Sequence, residues 1–176
     1  MTSREQEEYT ALRATIRERG TARVWIFVAG FIAWAALTVT AAALASTPVA
    51  VLLPLLVLAA TFEAVLALHV GVERVGRYLQ VFVEAGDPGW EHAAMAFGRP
   101  SGAITADALF SVPFLLGAVF NFVPVLITNP IPAELVFVGG AHALFLLRLA
   151  TARAAAGKQR AVDLERFQAM KRDGSR

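Results

Sequence analysis

The sequence predicts an all-α membrane protein whose four transmembrane helices form two antiparallel hairpins, with amphipathic cytoplasmic helices at the N-terminus, in the central loop and at the C-terminus. Three observations predict it. Apolar residues make up 57% of the 176-residue chain and charged residues only 17%, whereas a soluble domain is nearer a quarter charged. The apolar residues gather in blocks of about 20, enough to cross a hydrocarbon core of roughly 30 Å at 1.5 Å per residue. All 16 lysines and arginines lie in the leader, after the second block, or at the end of the fourth block and its tail.

Residues 1–23 form a charged leader in which Tyr9, Leu12 and Ile16 recur at helical spacing, the pattern of an amphipathic helix at a membrane surface or against a partner. A secretory signal is shorter and less acidic. The first span covers residues 24–45 and carries no charge; Ser46-Thr47-Pro48 turns the chain, and the second span covers 49–70, interrupted by Glu63 and His69. A turn this short makes the first hairpin, residues 24–70, antiparallel.

Residues 71–103 form a cytoplasmic extension and loop. Val75, Leu79 and Phe82 continue a helical stripe, with Glu73 and Arg77 at i,i+4 spacing. The second helix therefore runs on to about Glu84, until Asp87-Pro88-Gly89 ends it. A short helix follows over 91–97. The second hairpin, residues 104–150, holds spans at 104–127 and 133–150, joined by Thr128-Asn129-Pro130-Ile131-Pro132. Pro113 predicts a kink in the third span, tolerated in membrane helices. Residues 151–176 read as a helical tail striped by Leu164, Phe167 and Met170.

The charge map sets the orientation. Neither outer turn holds a basic residue, so the positive-inside rule places both termini and the central loop in the cytoplasm of a multi-pass protein of the cell inner membrane. The isoelectric point near 9.5 thus reports topology, and no nucleic-acid partner is expected. The arginine-rich, Ala- and Val-rich composition points to a bacterial, GC-rich source. The absence of cysteine excludes disulfides, thiolate metal sites and a cysteine nucleophile.

A carboxylate within a span is costly, so Glu63 stands out as a titrating proton or ion site or as half of a pair. Measured from the outer turns, Glu63 lies about 21 Å down its span and Arg148 about 22 Å down the fourth; equal depth predicts an interhelical ion pair. His142 lies outward of His69, near mid-membrane, where it can share a hydrogen bond with Asn121. Asp107 and Glu134 fall in first turns, where the helix dipole favours a carboxylate. Trp25 reads as an interfacial anchor, and Ala29 with Ala33, and Gly139-Gly140, permit close helix contacts. No catalytic, cofactor-binding or metal site is predicted: there is no GxSxG, HExxH, P-loop, GxGxxG or paired acidic motif of a lipid phosphotransferase.

The segments EYTALRATI, RVGRYLQVFVE and Gly89-Trp90-Glu91 together resemble a pattern in uncharacterised small bacterial integral membrane proteins. There a charged leader precedes a hairpin, and an Arg-x-x-x-Tyr-type helix ends in Phe-x-Glu and Trp-Glu. The resemblance covers the first half of the chain and implies no activity; it directs attention to the segment from Arg74 to Glu91. The functional expectation is a non-enzymatic accessory subunit or membrane-anchored effector, acting on a cytoplasmic or membrane protein partner through Arg74, Arg77, Tyr78, Glu84 and Trp90. The rival is a small oligomeric ion or proton channel or transporter built on Glu63, with Asn121, His142 and Asp107 along its path. A membrane enzyme acting on lipid is the remote alternative. Besides the lipid bilayer, a second copy of the chain is an expected partner.

Overall fold

The computed structural model describes residues 2–44, 47–84, 89–97 and 106–174, and every regular element among them is helical. Helix α1 spans Ser3–Leu44, a 3-10 turn spans Pro48–Val51, and α2 Leu52–Phe82, α3 Trp90–Phe97, α4 Ala106–Ile127 and α5 Pro132–Gly174 follow. Three helical stretches are long and apolar enough to cross a membrane: Ser3–Leu44, Pro48–Phe82 and Pro132–Gly174; α4 adds a shorter apolar stretch, Ser111–Ile127. Ser46 of the first outer turn, Asp87-Pro88, residues 98–105 and the Asp107 side chain lie outside the described residues.

The three long helices ignore the composition boundaries at residues 23/24, 70/71 and 150/151. The leader and first apolar block form one 42-residue helix, and the fourth block and tail form one of 43 residues. The physical reason is that Arg, Glu, Gln, Lys, Ala and Leu are all good helix formers. A change from apolar to charged residues alters the preferred solvent while the backbone carries on.

The ends are set by local chemistry. Thr2 and Glu5 form a capping box at the start of α1: the Thr2 amide donates to Glu5 Oε2 at 2.7 Å, and the Glu5 amide to Thr2 Oγ1 at 3.3 Å. Thr47 is extended, φ −126°, as a residue before proline prefers, and the chain enters α2 through the 3-10 turn. Asn129 adopts φ 50°, a left-handed conformation that asparagine tolerates. The Glu134 carboxylate then accepts from the Ile131 amide at 3.1 Å, capping α5.

The chain divides into two compact units: unit 1 comprises Met1–Arg23, Leu66–Ala103 and Ala154–Arg176, and unit 2 comprises Val24–Val65 and Ile104–Arg153. In unit 2, fully buried Phe114 of α4 is the hub of an aromatic cluster. Its ring meets Phe27, Phe31 and Phe62 at centroid distances of 5.7, 5.2 and 5.1 Å, each near edge-to-face, the geometry that aromatic quadrupoles favour. A second cluster joins Val51, Val125 and Val138, flanked by Leu52 and Phe122. The close approach of α1 to α2 falls at Gly30, while Ala29 and Ala33 are exposed. One residue rotates a helical position by about 100°, so a small-residue pair read from sequence can miss the contact face.

In unit 1, Leu79 is fully buried. Tyr78 and Phe82 of α2 meet Phe167 of α5 at 5.7 and 6.2 Å. Lys171 donates to the Val81 carbonyl at 2.7 Å, satisfying one of the carbonyls left open near the end of α2.

A Cβ at Gly30 would lie 2.2 Å from Thr61 Oγ1, whereas one at Gly20, in the same helix, meets nothing within 4 Å. Gly30→Ala is therefore expected to destabilise by about 1–3 kcal/mol through overpacking. Gly20→Ala should be neutral or stabilising by up to about 1 kcal/mol. Thermal unfolding of the two variants side by side in one detergent checks the contrast.

Candidate functional site

Two polar constellations stand out, one in each unit. In unit 2, Asn121 is 0% exposed, so each unmet hydrogen-bonding valence would be costly. Its Nδ2 donates to the Val51 carbonyl at 2.9 Å and to His142 Nε2 at 3.1 Å. Its Oδ1 accepts from the Trp34 indole at 3.3 Å and lies 3.2 Å from the Thr38 hydroxyl, whose single proton is shared with the Trp34 carbonyl at 2.8 Å. The indole can only donate, which fixes the amide's orientation. His142 Nε2 must then accept, leaving Nδ1–H to donate to the Val138 carbonyl at 2.8 Å. One neutral tautomer satisfies the whole cluster, and Phe122 packs edge-on against the imidazole at 4.9 Å.

The structure also brings Glu63 and Arg148 together. Arg148 Nε lies 2.7 Å from Glu63 Oε1 and its NH2 group donates to Oε2 at 2.9 Å, a bidentate fork. The guanidinium carbon sits 5.9 Å from the centre of the Phe62 ring. Unlike Asn121, this pair is open to its surroundings: the side chains are 49% and 39% exposed.

In unit 1 the central feature is the seat of α3. The Glu84 carboxylate accepts from the Glu91 amide at 3.0 and 3.1 Å, from the His92 amide at 3.2 Å, and pairs with His92 Nδ1 at 3.0 Å. It is an N-cap supplied from beyond the end of α2, an anion against the positive end of α3. Burial opposes its ionisation, but the two amides and the His92 ring outweigh this and hold its carboxyl below the ordinary value of 4.5. Gly89 makes room for it, since a Cβ there would lie 2.7 Å from the Glu84 carboxyl carbon. Glu91 is clamped by Arg13 of α1 at 2.7 Å and fits over Gly76, where a Cβ would lie 2.8 Å from its Oε2.

The other residues singled out between Arg74 and Trp90 are mostly engaged within unit 1. Arg74 bonds Asp163 at 3.0 Å, with Gln159 on the other carboxylate oxygen at 2.8 Å. The Tyr78 hydroxyl donates to Glu8 at 2.6 Å, a bond that raises the Tyr78 pKa above its usual value. Arg77 is half-buried on α2. Glu73 bonds Arg160 at 3.0 Å and faces His69 at 3.6 Å, while the other His69 nitrogen takes Arg23 at 3.1 Å. Trp90 differs, being 69% exposed at the first position of α3. Sequence reasoning missed Arg13, His92, Arg160 and Asp163, and noted Glu91 only as part of the resemblance. It also missed Trp34 and Thr38, whose polar tips at i,i+4 in an uncharged span were the available signal. Among the described residues no group of three or more His, Asp or Glu is placed to hold a metal ion.

No family model matches the chain, and neither a curated protein nor a solved structure matches it.

Asn121→Leu removes the amide from all its partners and is expected to cost about 2 kcal/mol, at roughly 0.6 kcal/mol for each interhelical hydrogen bond. The loss should appear as a lowered Tm, and Asn121→Gln, which keeps the groups but not the reach, should recover little of it.

Because the Glu84 pKa is lowered on folding, its contribution is complete above 4.5 and is lost as pH falls through the lower, folded value. The hydrogen-exchange protection factors of the α3 amides should hold to below pH 4.5 and then fall. Glu84→Gln should raise exchange already at pH 7, by the equivalent of about 1 kcal/mol, and flatten the acid step.

Proposed function

We propose that the chain is a four-span protein of a bacterial inner membrane whose unit 1 is cytoplasmic and binds a protein partner, with no chemistry of its own. Three membrane-length helices and the apolar stretch of α4 support the four spans, and the bias of basic residues supports the orientation.

The observation that carries the interaction reading is Trp90. A large aromatic side chain stands 69% exposed on a helix held from one end by the Glu84 cap and from the side by the Arg13–Glu91 pair. Tryptophan is enriched among the residues that carry protein interfaces, because burying one gains much area at little entropic cost. The ion pairs of Arg74 with Asp163 and of Glu73 with Arg160 fix further side chains of unit 1. The resemblance noted in the sequence converges on the same joint, since Phe82-x-Glu84 and Gly89-Trp90-Glu91 are its components.

The channel reading draws on the exposure of Glu63. It is weakened because Asn121 and His142 spend their polar atoms on one another and on Trp34, Thr38, Val51 and Val138.

A photoreactive phenylalanine analogue at position 90, in the full-length protein in its native membrane, should give one discrete protein adduct. The same probe at Val162, which is also exposed, should not. Adducts with lipid alone, or equal labelling at both positions, would remove the basis of the reading. Proton or cation flux in liposomes, abolished by Glu63→Gln, would favour the channel instead.

A further inference from the structure

The Glu63–Arg148 pair poses a problem that unit 2 alone does not solve. Resting on the membrane-spanning reading above, the pair lies about 21–22 Å from the outer end of its helices, inside a hydrocarbon core of roughly 30 Å. An arginine at that depth commonly snorkels toward the headgroups. Here the guanidinium is instead forked onto Glu63 at 2.7 and 2.9 Å, with its carbon 5.9 Å from the centre of the Phe62 ring. The fork leaves further guanidinium N–H donors and carboxylate lone pairs unused, and the two side chains are 39% and 49% exposed. Against lipid tails those valences would have no partners.

The surroundings of the pair form a continuous apolar face. On α2, Leu53, Leu56 and Ala60 are exposed on the side of Glu63, at spacings of three and four residues. On α5, Gly140, Leu144 and Leu147 are exposed, and the position of a Cβ at Gly140 is open. Ala60 and Gly140 let a neighbouring helix approach closely.

We propose that this α2–α5 face is the interface of a symmetric dimer, in which each copy's Glu63–Arg148 pair meets the same pair of a second copy. Charge complementarity selects that occupant. Glu63 and Arg148 stand on different helices at similar depth, so the line from one charge to the other runs within the membrane plane. A two-fold axis along the membrane normal reverses every such line, bringing each carboxylate opposite the other copy's guanidinium. The result is a closed ring of four alternating charges, an isologous contact that satisfies the unused valences of both pairs.

The natural absence of cysteine makes the test direct. Ala60→Cys and, as control, Phe120→Cys on the exposed face of α4 are introduced singly into the full chain and oxidised with copper phenanthroline in native membranes. Disulfide dimers are expected from Ala60→Cys and not from Phe120→Cys. Adding Glu63→Gln or Arg148→Gln should lower the dimer yield roughly tenfold, and the exchange of charges, Glu63→Arg with Arg148→Glu, should restore it. Equal crosslinking at both positions, a monomer at both, or a mixed disulfide from position 60 to a different protein would each overturn the proposal. Extraction with alkaline carbonate separates the two readings. Protein that stays in the membrane yet does not dimerise refutes the dimer alone, whereas release by carbonate refutes the membrane-spanning reading and the dimer with it.

Discussion

The arrangement of unit 2 depends on one buried amide. Asn121 touches α1 through Trp34 and Thr38, the 3-10 turn through Val51, and α5 through His142. Apolar packing tolerates small rotations of a helix about its axis, because one leucine serves nearly as well as the next. A saturated amide does not. Turning any neighbouring helix by one residue, about 100°, would strand a donor or acceptor where burial leaves no substitute. With the phases so fixed, Phe114 meets three other rings, Gly30 meets Thr61, and Glu63 meets Arg148 on the open side of α2 and α5.

Unit 1 reaches a defined arrangement by a different route. Among its described residues Leu79, Val81 and Ala156 are buried beside the Tyr78–Phe82–Phe167 cluster, and much of the specificity comes from charged groups with defined partners. The α3 joint is the clearest case. One carboxylate, Glu84, takes two backbone amides and a ring nitrogen, and two glycines, Gly76 and Gly89, leave space that any side chain would fill. Such a joint spends polar groups on holding a short helix in place, which suits a helix whose exposed first residue is a tryptophan.

How much of this is legible in the sequence depends on whether a contact is fixed by depth or by rotation. The apolar blocks are legible because length and composition alone report them. The meetings of Glu63 with Arg148 and of Asn121 with His142 can be anticipated because depth along a helix is one-dimensional and the short turns before α2 and α5 supply the origin. Trp34 and Thr38 escape because two polar tips at i,i+4 mark one face of α1 without saying which helix that face meets. The same limit turns Ala29 and Ala33 outward while Gly30 makes the contact. In unit 1, Arg13, Arg74 and Arg160 each have several carboxylates within plausible reach, so that charge alone cannot assign Glu91, Asp163 and Glu73 to them. The Glu84 cap is hidden because it acts on a helix other than its own.

The order of the polar partners along the chain bears on how the protein is made. Trp34, Thr38, Val51 and Glu63 all emerge before Asn121, and His142 and Arg148 arrive last, on α5. During synthesis from the N-terminus, Glu63 therefore leaves the ribosome without its cation, and Asn121 without its imidazole. The final helix discharges both debts at once. The polar contacts of unit 2 are thus complete only once α5 has been made, and a chain ending before it would leave the Glu63 carboxylate and the Asn121 amide without these partners.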